Sequence, residues 1–225
     1  MKEIKKNLLL WLKKIYLRIY LKWLFKFSGI EVKIAENEED LQDVFKLRYR
    51  IYKESGYINP EDYPDEIFKD PYDKYSINFL ALYKNKPAGI VRLVKNSELG
   101  YTLEQYYNLE LPAKGRSAVE VSRLAVDREY RGGKRRIVIA LMRSAFRWSK
   151  ENDVKYWYMF MPEKLAKAFE DLGGKFNLLE ERELTEENKT ARKSLAGYFE
   201  KTGAKPYVLS VKELNDNLDR MKIYW

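Results

Sequence analysis

Apolar and polar positions change period several times along the chain, and each change marks an element. From Met1 to Phe27 two apolar stripes recur at helical spacing. Ile4, Leu8, Trp11, Leu12, Ile15 and Ile19 form one; Tyr16, Tyr20, Trp23, Leu24 and Phe27 form the other. At roughly 100° per residue the stripes lie more than a quarter-turn apart, so a straight helix cannot lay both on one plane. Ser28-Gly29 ends this helix, and Glu31 to Ala35 reads as a short strand. Asn37 to Asp40 supplies capping residues for a second helix, in which Leu41, Val44, Phe45, Tyr49 and Tyr52 recur as far as Ser55-Gly56. Tyr57 to Tyr75 is a long loop. Ser76 to Tyr83 and Gly89 to Val94 form a hairpin through Lys84-Asn85-Lys86-Pro87. Ser97 to Lys114 is an irregular connection with a short helix at Leu103 to Asn108.

The second half repeats the alternation of strand and helix. Val119 to Val126 is a strand, with Val119, Val121 and Ala125 on one face and Glu120, Ser122 and Leu124 on the other; Arg123 interrupts the apolar face. A helix from Lys134 to Asn152 follows, then an aromatic strand, Val154 to Met161. Pro162 starts a helix to Leu172, capped by Gly173-Gly174. Lys175 to Glu183 reads as a strand, Glu186 to Thr202 as a polar, partly helical stretch, and Tyr207 to Val211 as the last strand. This order predicts an α/β fold, a mixed, mostly antiparallel central sheet flanked by helices. It divides into an N-terminal amphipathic helix, residues 1–29, and one domain, residues 30–225.

Composition narrows the chemistry. The chain has no cysteine and no histidine. Disulfides, thiol catalysis, His-dependent triads and His/Cys zinc sites are excluded, so proton transfer falls to carboxylates, Tyr, Lys or water. A net charge of +9 over 225 residues favours an acidic partner. No nucleic-acid motif accompanies that charge, so nucleic acid is not expected.

The N-terminal helix carries Lys13, Lys14, Arg18, Lys22 and Lys26, and its longest charge-free run is Asn7 to Leu12. A membrane span needs ~18–20 apolar residues, and no small-residue cleavage site follows, so neither a span nor a signal peptide fits. Two readings stand: a basic, aromatic interfacial anchor on an anionic membrane surface, or a helix packed on the domain or in a dimer. The long loop is acidic in a basic protein, with Glu61, Asp62, Asp65, Glu66, Asp70 and Asp73. It is either a solvated loop or a site for a positive group.

A strand with Glu120, Ser122 and Arg123 at its centre departs from a core pattern. It feeds a basic, glycine-paired turn, Asp127 to Lys134, at a helix start, an arrangement that suits a phosphate or a reacting carbonyl. Taken alone, Glu120 and Arg123 read as a structural ion pair. Their setting changes that. Leu47-Arg48-Tyr49 with Tyr52, then Asp70, Tyr72 and Asp73, then Val91-Arg92-Leu93, then Glu120, Ser122 and Arg123 run in order. This series resembles the GNAT-fold acyltransferases of the autoinducer synthase and N-acyl amino acid synthase family. The tryptophan that the pattern has after the first arginine is absent, with Tyr57 or Ile58 nearby. That turns the reading from acyl-homoserine-lactone synthesis with S-adenosylmethionine toward an amino acid acceptor. The turn Arg128-x-x-Arg131-Gly132-Gly133 keeps glycines but places Arg135 and Arg136 where small residues usually admit a CoA pyrophosphate.

The resemblance implies an N-acyltransferase with no tightly bound cofactor. Its donor substrate would be acyl-ACP, the acyl carrier protein thioester, or else acyl-CoA; its acceptor would be an amino acid-like small molecule. It implies Glu120, Ser122 and Arg123 as catalytic residues, with Glu120 the base, and Arg48, Asp70, Asp73 and Arg92 at the acceptor. Leu124, Ala125 and Val126, with Arg131, Gly132, Gly133 and Lys134, would hold the donor. Lys134, Arg135, Arg136, Arg143 and Arg147 would suit the acidic carrier protein. Tyr156, Trp157, Tyr158 and Phe160 read as core or as an acyl tunnel. The expected location is cytoplasmic and peripheral at the inner face of the membrane. The reading from another class is a GNAT-like, membrane-associated binding module without catalysis.

Overall fold

The computed structural model describes residues 12, 15, 16, 18–23, 26, 28–109, 117–132, 135–170, 175–181, 202–220 and 222. Among the described residues, nine strands and four further helices follow the N-terminal helical residues. In order they are β1 (Ile30–Ile34), α1 (Glu38–Glu54), β2 (Ser76–Tyr83), β3 (Lys86–Lys95), β4 (Tyr107–Asn108) and β5 (Ala118–Val126). Then come α2 (Arg136–Glu151), β6 (Tyr156–Pro162), α3 (Glu163–Glu170), β7 (Phe176–Leu178), β8 (Glu180–Glu181), β9 (Ala204–Ser210) and α4 (Val211–Arg220). Seven strands form one sheet in the order β1-β2-β3-β5-β6-β9-β7, and β4 pairs with β8. Only β5 and β6 run parallel among the described pairs. The expected mixed, mostly antiparallel sheet is the one observed.

Local chemistry sets the boundaries. Gly29 takes φ +67° where the N-terminal helix stops, a conformation an L side chain resists. The Asn37 side chain accepts the Asp40 N–H and caps α1. Lys84 and Asn85 both have positive φ, so the hairpin closes on a tight two-residue turn and β3 starts at Lys86, earlier than the apolar run.

The sheet faces differ. One face meets α2 and holds the main core, including Phe79, Val91, Leu93, Val119, Val121, Leu141, Phe146, Trp157 and Leu214. Trp157 is fully buried, stands edge-on to Phe146, and donates its indole N–H to Ser149 Oγ at 2.9 Å, which satisfies its one polar atom. A Cβ at Gly89 would come within 2.7 Å of Ile137 Cγ2 and 3.2 Å of Leu141 Cδ1, so α2 approaches β3 as closely as it does because position 89 has no side chain. The other face carries two separate apolar clusters. One, under α1, includes Val44, Leu47, Ile51, Leu80 and Ile90; the other includes Tyr101, Leu103, Tyr107, Tyr158 and Val208. A polar network divides them.

Several expectations need correction. Pro162 ends β6, and α3 starts at Glu163. The short helix is a 3₁₀ turn, Thr102–Gln105, followed by β4. The strand from Lys175 is two short strands in different sheets, β7 and β8. Among the described residues of the N-terminal helix, Leu21, in neither stripe, is buried in the main core with Tyr20 of the second stripe packed against it, and Leu12, Tyr16, Ile19 and Trp23, drawn from both, are exposed; the remaining stripe residues, apart from Ile15, lie outside the described residues. The helix α4 was not expected. Its signature is short but complete: Ser210 Oγ accepts the Glu213 N–H, and Val211, Leu214 and Leu218 are buried. The Gly173-Gly174 cap and the stretch from Glu186 lie outside the described residues, as do residues 110–116 of the irregular connection.

Candidate active site

The site gathers where β5 stops being regular. Gly89 and Ile90 pair with Val126 and Ala125, but Arg92 pairs with Ser122, so Arg123 and Leu124 together face Val91 in a bulge. Arg123 takes φ +55° there. The bulge reverses the facing of the residues that follow. Leu124 and Val126 pack with the main core, and Ala125 joins the cluster under α1. This corrects the alternation expected from the sequence, in which one period ran through the whole strand.

The bulge coincides with a second break. β5 pairs with β6 only from Ala118 to Val121, opposite Tyr156 to Met159. Beyond that, β6 continues with β9 and β5 with β3. The two parallel strands part, and among the described residues the β5 edge from Ser122 to Val126 has no strand on that side. All five of these residues are half-buried, whereas Ala118 to Val121 are buried.

Three arginines and two aspartates fill the polar band beside the bulge. Arg48, buried on α1, grips Asp73 in a two-point pair at 2.7 and 3.0 Å and reaches Asn78 Oδ1 at 3.1 Å. Arg92, buried on β3, donates to Asp70 at 2.7 Å, to Asp73 at 3.0 Å and to Ser122 Oγ at 3.1 Å. Arg123 donates to Asp70 at 2.7 Å, and its guanidinium lies over the rings of Tyr52 and Phe68, 5.3 and 4.9 Å from their centroids. The acidic loop holds both carboxylates by capping its own turn, Pro71–Tyr75. Asp70 accepts from the Tyr72 N–H, and Asp73 accepts from the Asp70 N–H at 2.8 Å. Each of the four carboxylate oxygens thus accepts from an arginine.

Electrostatics follow from this arrangement. Burial by itself pushes the Asp70 carboxyl up, but Arg92 and Arg123 together outweigh it and hold it at about 2. Asp73 is lowered in the same way: burial opposes, and Arg48 and Arg92 prevail. Three guanidinium groups against two carboxylates leave one positive charge in excess, and Arg123 is the most exposed of the three.

Glu120 stands apart from this network. It is 2% exposed on β5. It accepts from the Thr102 hydroxyl, and from the Leu103 N–H at 3.3 Å. Burial pushes its carboxyl above the ordinary range, with the Thr102 hydrogen bond and Arg92 opposing. Arg123 pairs with Asp70 instead, so no Glu120–Arg123 pair forms. Gln105 donates to the Tyr72 hydroxyl at 3.0 Å and ties this turn to the acidic loop.

The geometry therefore unites Arg48, Asp70, Asp73, Arg92, Ser122 and Arg123 and places Glu120 beside them. Leu124, Ala125 and Val126 line the opened edge. Arg131 bonds the Val126 carbonyl at 2.9 Å, and Gly132 is exposed with open space where a Cβ would stand. Gly133 and Lys134 lie outside the described residues. Arg147 forms an exposed pair with Glu151, one turn along α2. Tyr158 and Trp157 are fully buried core residues on opposite sheet faces, and Tyr156 and Phe160 pack beside Tyr158. Sequence reasoning missed Asn78, Thr102 and the Arg50–Asp127 pair, which ties α1 to the turn after β5. A groove of roughly 920 Å³ runs along that junction, and another of roughly 510 Å³ opens over Asp70 and Asp73; Glu120 lines neither.

A family model described as N-acyl amino acid synthase FeeM matches residues 43–192, from α1 past β8, and so contains every one of these groups. The chain belongs to the FeeM family of N-acyl amino acid synthases. It is an acyltransferase. No curated protein sequence matches the synthase. Among solved structures it resembles FeeM from uncultured soil microbes, at 14% identity and a TM-score of 0.59 over 85% of this chain and 96% of that one. It also resembles BjaI, a CoA-dependent acyl-homoserine lactone synthase solved with SAM and isopentyl-CoA, at 20% identity and a TM-score of 0.61 over 88% and 90%. The acyl-homoserine lactone synthase LasI is similar at 18% identity, TM-score 0.55, over 82% and 91%. At these identities the three likenesses establish a shared fold, and the synthase has the GNAT-like architecture expected from its motifs.

Proposed function

We propose that the synthase moves a fatty acyl group from an acyl carrier protein thioester to the amine of an amino acid-like acceptor. The observation that carries this reading is the β5 bulge at Arg123–Leu124, placed where β5 parts from β6 and beside the arginine–aspartate network. The unpaired β5 edge offers backbone N–H groups to a thioester carbonyl and an extended pantetheine arm. Such donors are fixed before the reaction and favour the oxyanion of the tetrahedral intermediate. The network gives the acceptor a rigid, positive floor. Its surplus charge at Arg123 suits the acceptor carboxylate, which leaves the amine free to attack.

The attacking nitrogen must lose a proton. Glu120 is the base in this reading, and burial raises its carboxyl toward working pH. Its oxygens are sealed behind Thr102 and Leu103, so the proton travels through the Thr102 hydroxyl. That oxygen takes a proton from the amine side, directly or through water, as its own passes to Glu120. Collapse of the intermediate expels the carrier thiolate, which takes the proton held on Glu120 back through the Thr102 hydroxyl and water, leaving as the free thiol and restoring the carboxylate. Arg135 and Arg136 at the start of α2 supply positive charge for the carrier protein.

The test compares donors. Purified synthase is incubated with mixed amino acids and either acyl carrier protein or CoA loaded with the same acyl chain. Carrier thiol should appear faster from the protein donor. Faster release from acyl-CoA would reassign the donor, and release of methylthioadenosine with S-adenosylmethionine would reassign the acceptor.

A further inference from the structure

Among the described residues, one face of the N-terminal helix is largely exposed, with Arg136 reaching over its end at Trp23. Leu21 seats the helix in the main core, with Tyr20 half-buried beside it. Leu12 is 48% exposed, Tyr16 63%, Ile19 64% and Trp23 45%. At roughly 100° per residue these four fall within an arc of about 60° opposite Leu21, and they span about 16 Å of helix axis. Tyr16 stacks on Tyr20 with ring centroids 6.2 Å apart, and Arg136 lies 5.9 Å from the centroid of the Trp23 ring. Among the described residues, the other exposed large apolar side chains, Tyr57, Leu99 and Leu178, stand on three separate segments. Scattered residues need no explanation, but a continuous stripe does.

We infer that this stripe binds an anionic lipid surface. Charge decides the occupant. No Asp or Glu occurs between Glu3 and Glu31, and Lys22 and Lys26 are exposed along one margin of the stripe. A second copy would bring like charges together, whereas phospholipid headgroups of negative charge would neutralise them. Trp and Tyr with basic neighbours suit the headgroup boundary, where an aromatic body sinks and a polar tip stays wet. No described helix is long and apolar enough to cross a membrane, so the contact is interfacial.

The stripe also has a place in the chemistry, and this step rests on the function proposed above. Arg136 over Trp23 is the first residue of α2, the helix that follows the turn after β5. The donor side of the site therefore lies against the helix that carries the stripe. An N-acyl amino acid is an amphiphile, and a lipid surface there gives its chain somewhere to go.

Vesicle sedimentation tests the binding without any chemistry, so its failure and a failure of the acyl-transfer reading are separable. The full chain should pellet with phosphatidylcholine vesicles containing phosphatidylglycerol, and at least ~10-fold less with phosphatidylcholine alone or in high salt. The double variant Tyr16→Ser, Ile19→Ser, at two exposed positions, should reduce partitioning by at least ~10-fold, since each lost apolar side chain removes burial in the interface. Its unfolding midpoint and its activity with soluble substrates should stay unchanged. Three results would overturn the inference: equal binding to neutral vesicles, undiminished binding by the double variant, or a dimer in light scattering that the same variant dissociates.

Discussion

Asp70→Asn isolates the charge of the network from its geometry. Asparagine is nearly isosteric and caps a turn as well as aspartate, so Oδ1 can still accept from the Tyr72 N–H and from Arg92. The side-chain nitrogen then faces Arg123, which loses its carboxylate. The magnitude follows from linkage. The Asp70 carboxyl falls from 3.8 to about 2 on folding, worth about 2 kcal/mol. Breaking a buried pair outright costs ~3–5 kcal/mol, but Asp73 still serves Arg92, so a loss near 3 kcal/mol is expected at pH 7. For a chain of this size that is a fall in Tm of roughly 6–12 °C. The sign of the pH dependence is fixed. A depressed carboxylate stabilises above its unfolded value, and that stability disappears as pH falls through about 2. The gap between wild type and variant should therefore shrink to roughly half at pH 3. Urea midpoints at both pH values measure it. A shift below about 1 kcal/mol at pH 7, or one undiminished at pH 3, would refute the claim that Asp70 is held ionised by Arg92 and Arg123.

Three further substitutions probe other parts. Glu120→Gln should lower turnover by roughly 10²–10⁴-fold. Because burial raises this carboxyl, wild-type stability declines as pH climbs from the ordinary carboxylate range through the raised value, so the glutamine variant should unfold at the same temperature or higher at pH 7. The acid limb of wild-type kcat/KM should lie above the ordinary carboxylate range, and a fully active Glu120→Gln would remove this residue as the base. Thr102→Val should lower kcat with little change in KM; unchanged kcat would send the proton by another path. Gly89→Ala should cost ~1–3 kcal/mol by pushing α2 off β3, read as a shift in urea midpoint without a change in slope. No shift would mean that Ile137 and Leu141 move aside freely.

Local signals made much of this molecule legible. Asn37 before a periodic run marks α1, and the apolar run from Gly89 to Val94 marks a strand that the structure extends to Lys86–Lys95. Four short motifs, each weak, pointed in sequence order to residues that the fold brings together: Arg48, Asp70, Asp73, Arg92, Ser122 and Arg123. The misses have physical causes. A bulge adds one residue to β5, and alternation read straight through it puts Leu124 and Ala125 on the wrong faces. Thr102 and Asn78 are ordinary polar residues in sequence, and their importance comes from partners 18 and 30 positions away. Glu120 looked like half of an ion pair with Arg123 because the two are close in sequence. The bulge turns Arg123 to the aromatic rings and Asp70, while Glu120 stays in the regular part of β5 and points to the Thr102 turn. For the N-terminal helix, periodicity gave two apolar stripes, whereas the exposed arc takes Leu12 and Ile19 from one and Tyr16 and Trp23 from the other, since a helix with apolar residues over much of its circumference can dock in more than one rotation.

The claim that the bulged, opened edge of β5 serves acyl transfer to an amine is tested most directly by product mass. The synthase is mixed with acyl carrier protein bearing a defined fatty acyl chain and with ¹⁵N-labelled amino acids, and the organic extract is analysed by mass spectrometry. The account predicts an amide-linked acyl chain with the ¹⁵N label, formed one-for-one with free carrier thiol and greatly reduced in Glu120→Gln. Folded synthase that leaves both protein-borne and CoA-borne thioesters intact in the presence of every amino acid offered would contradict it.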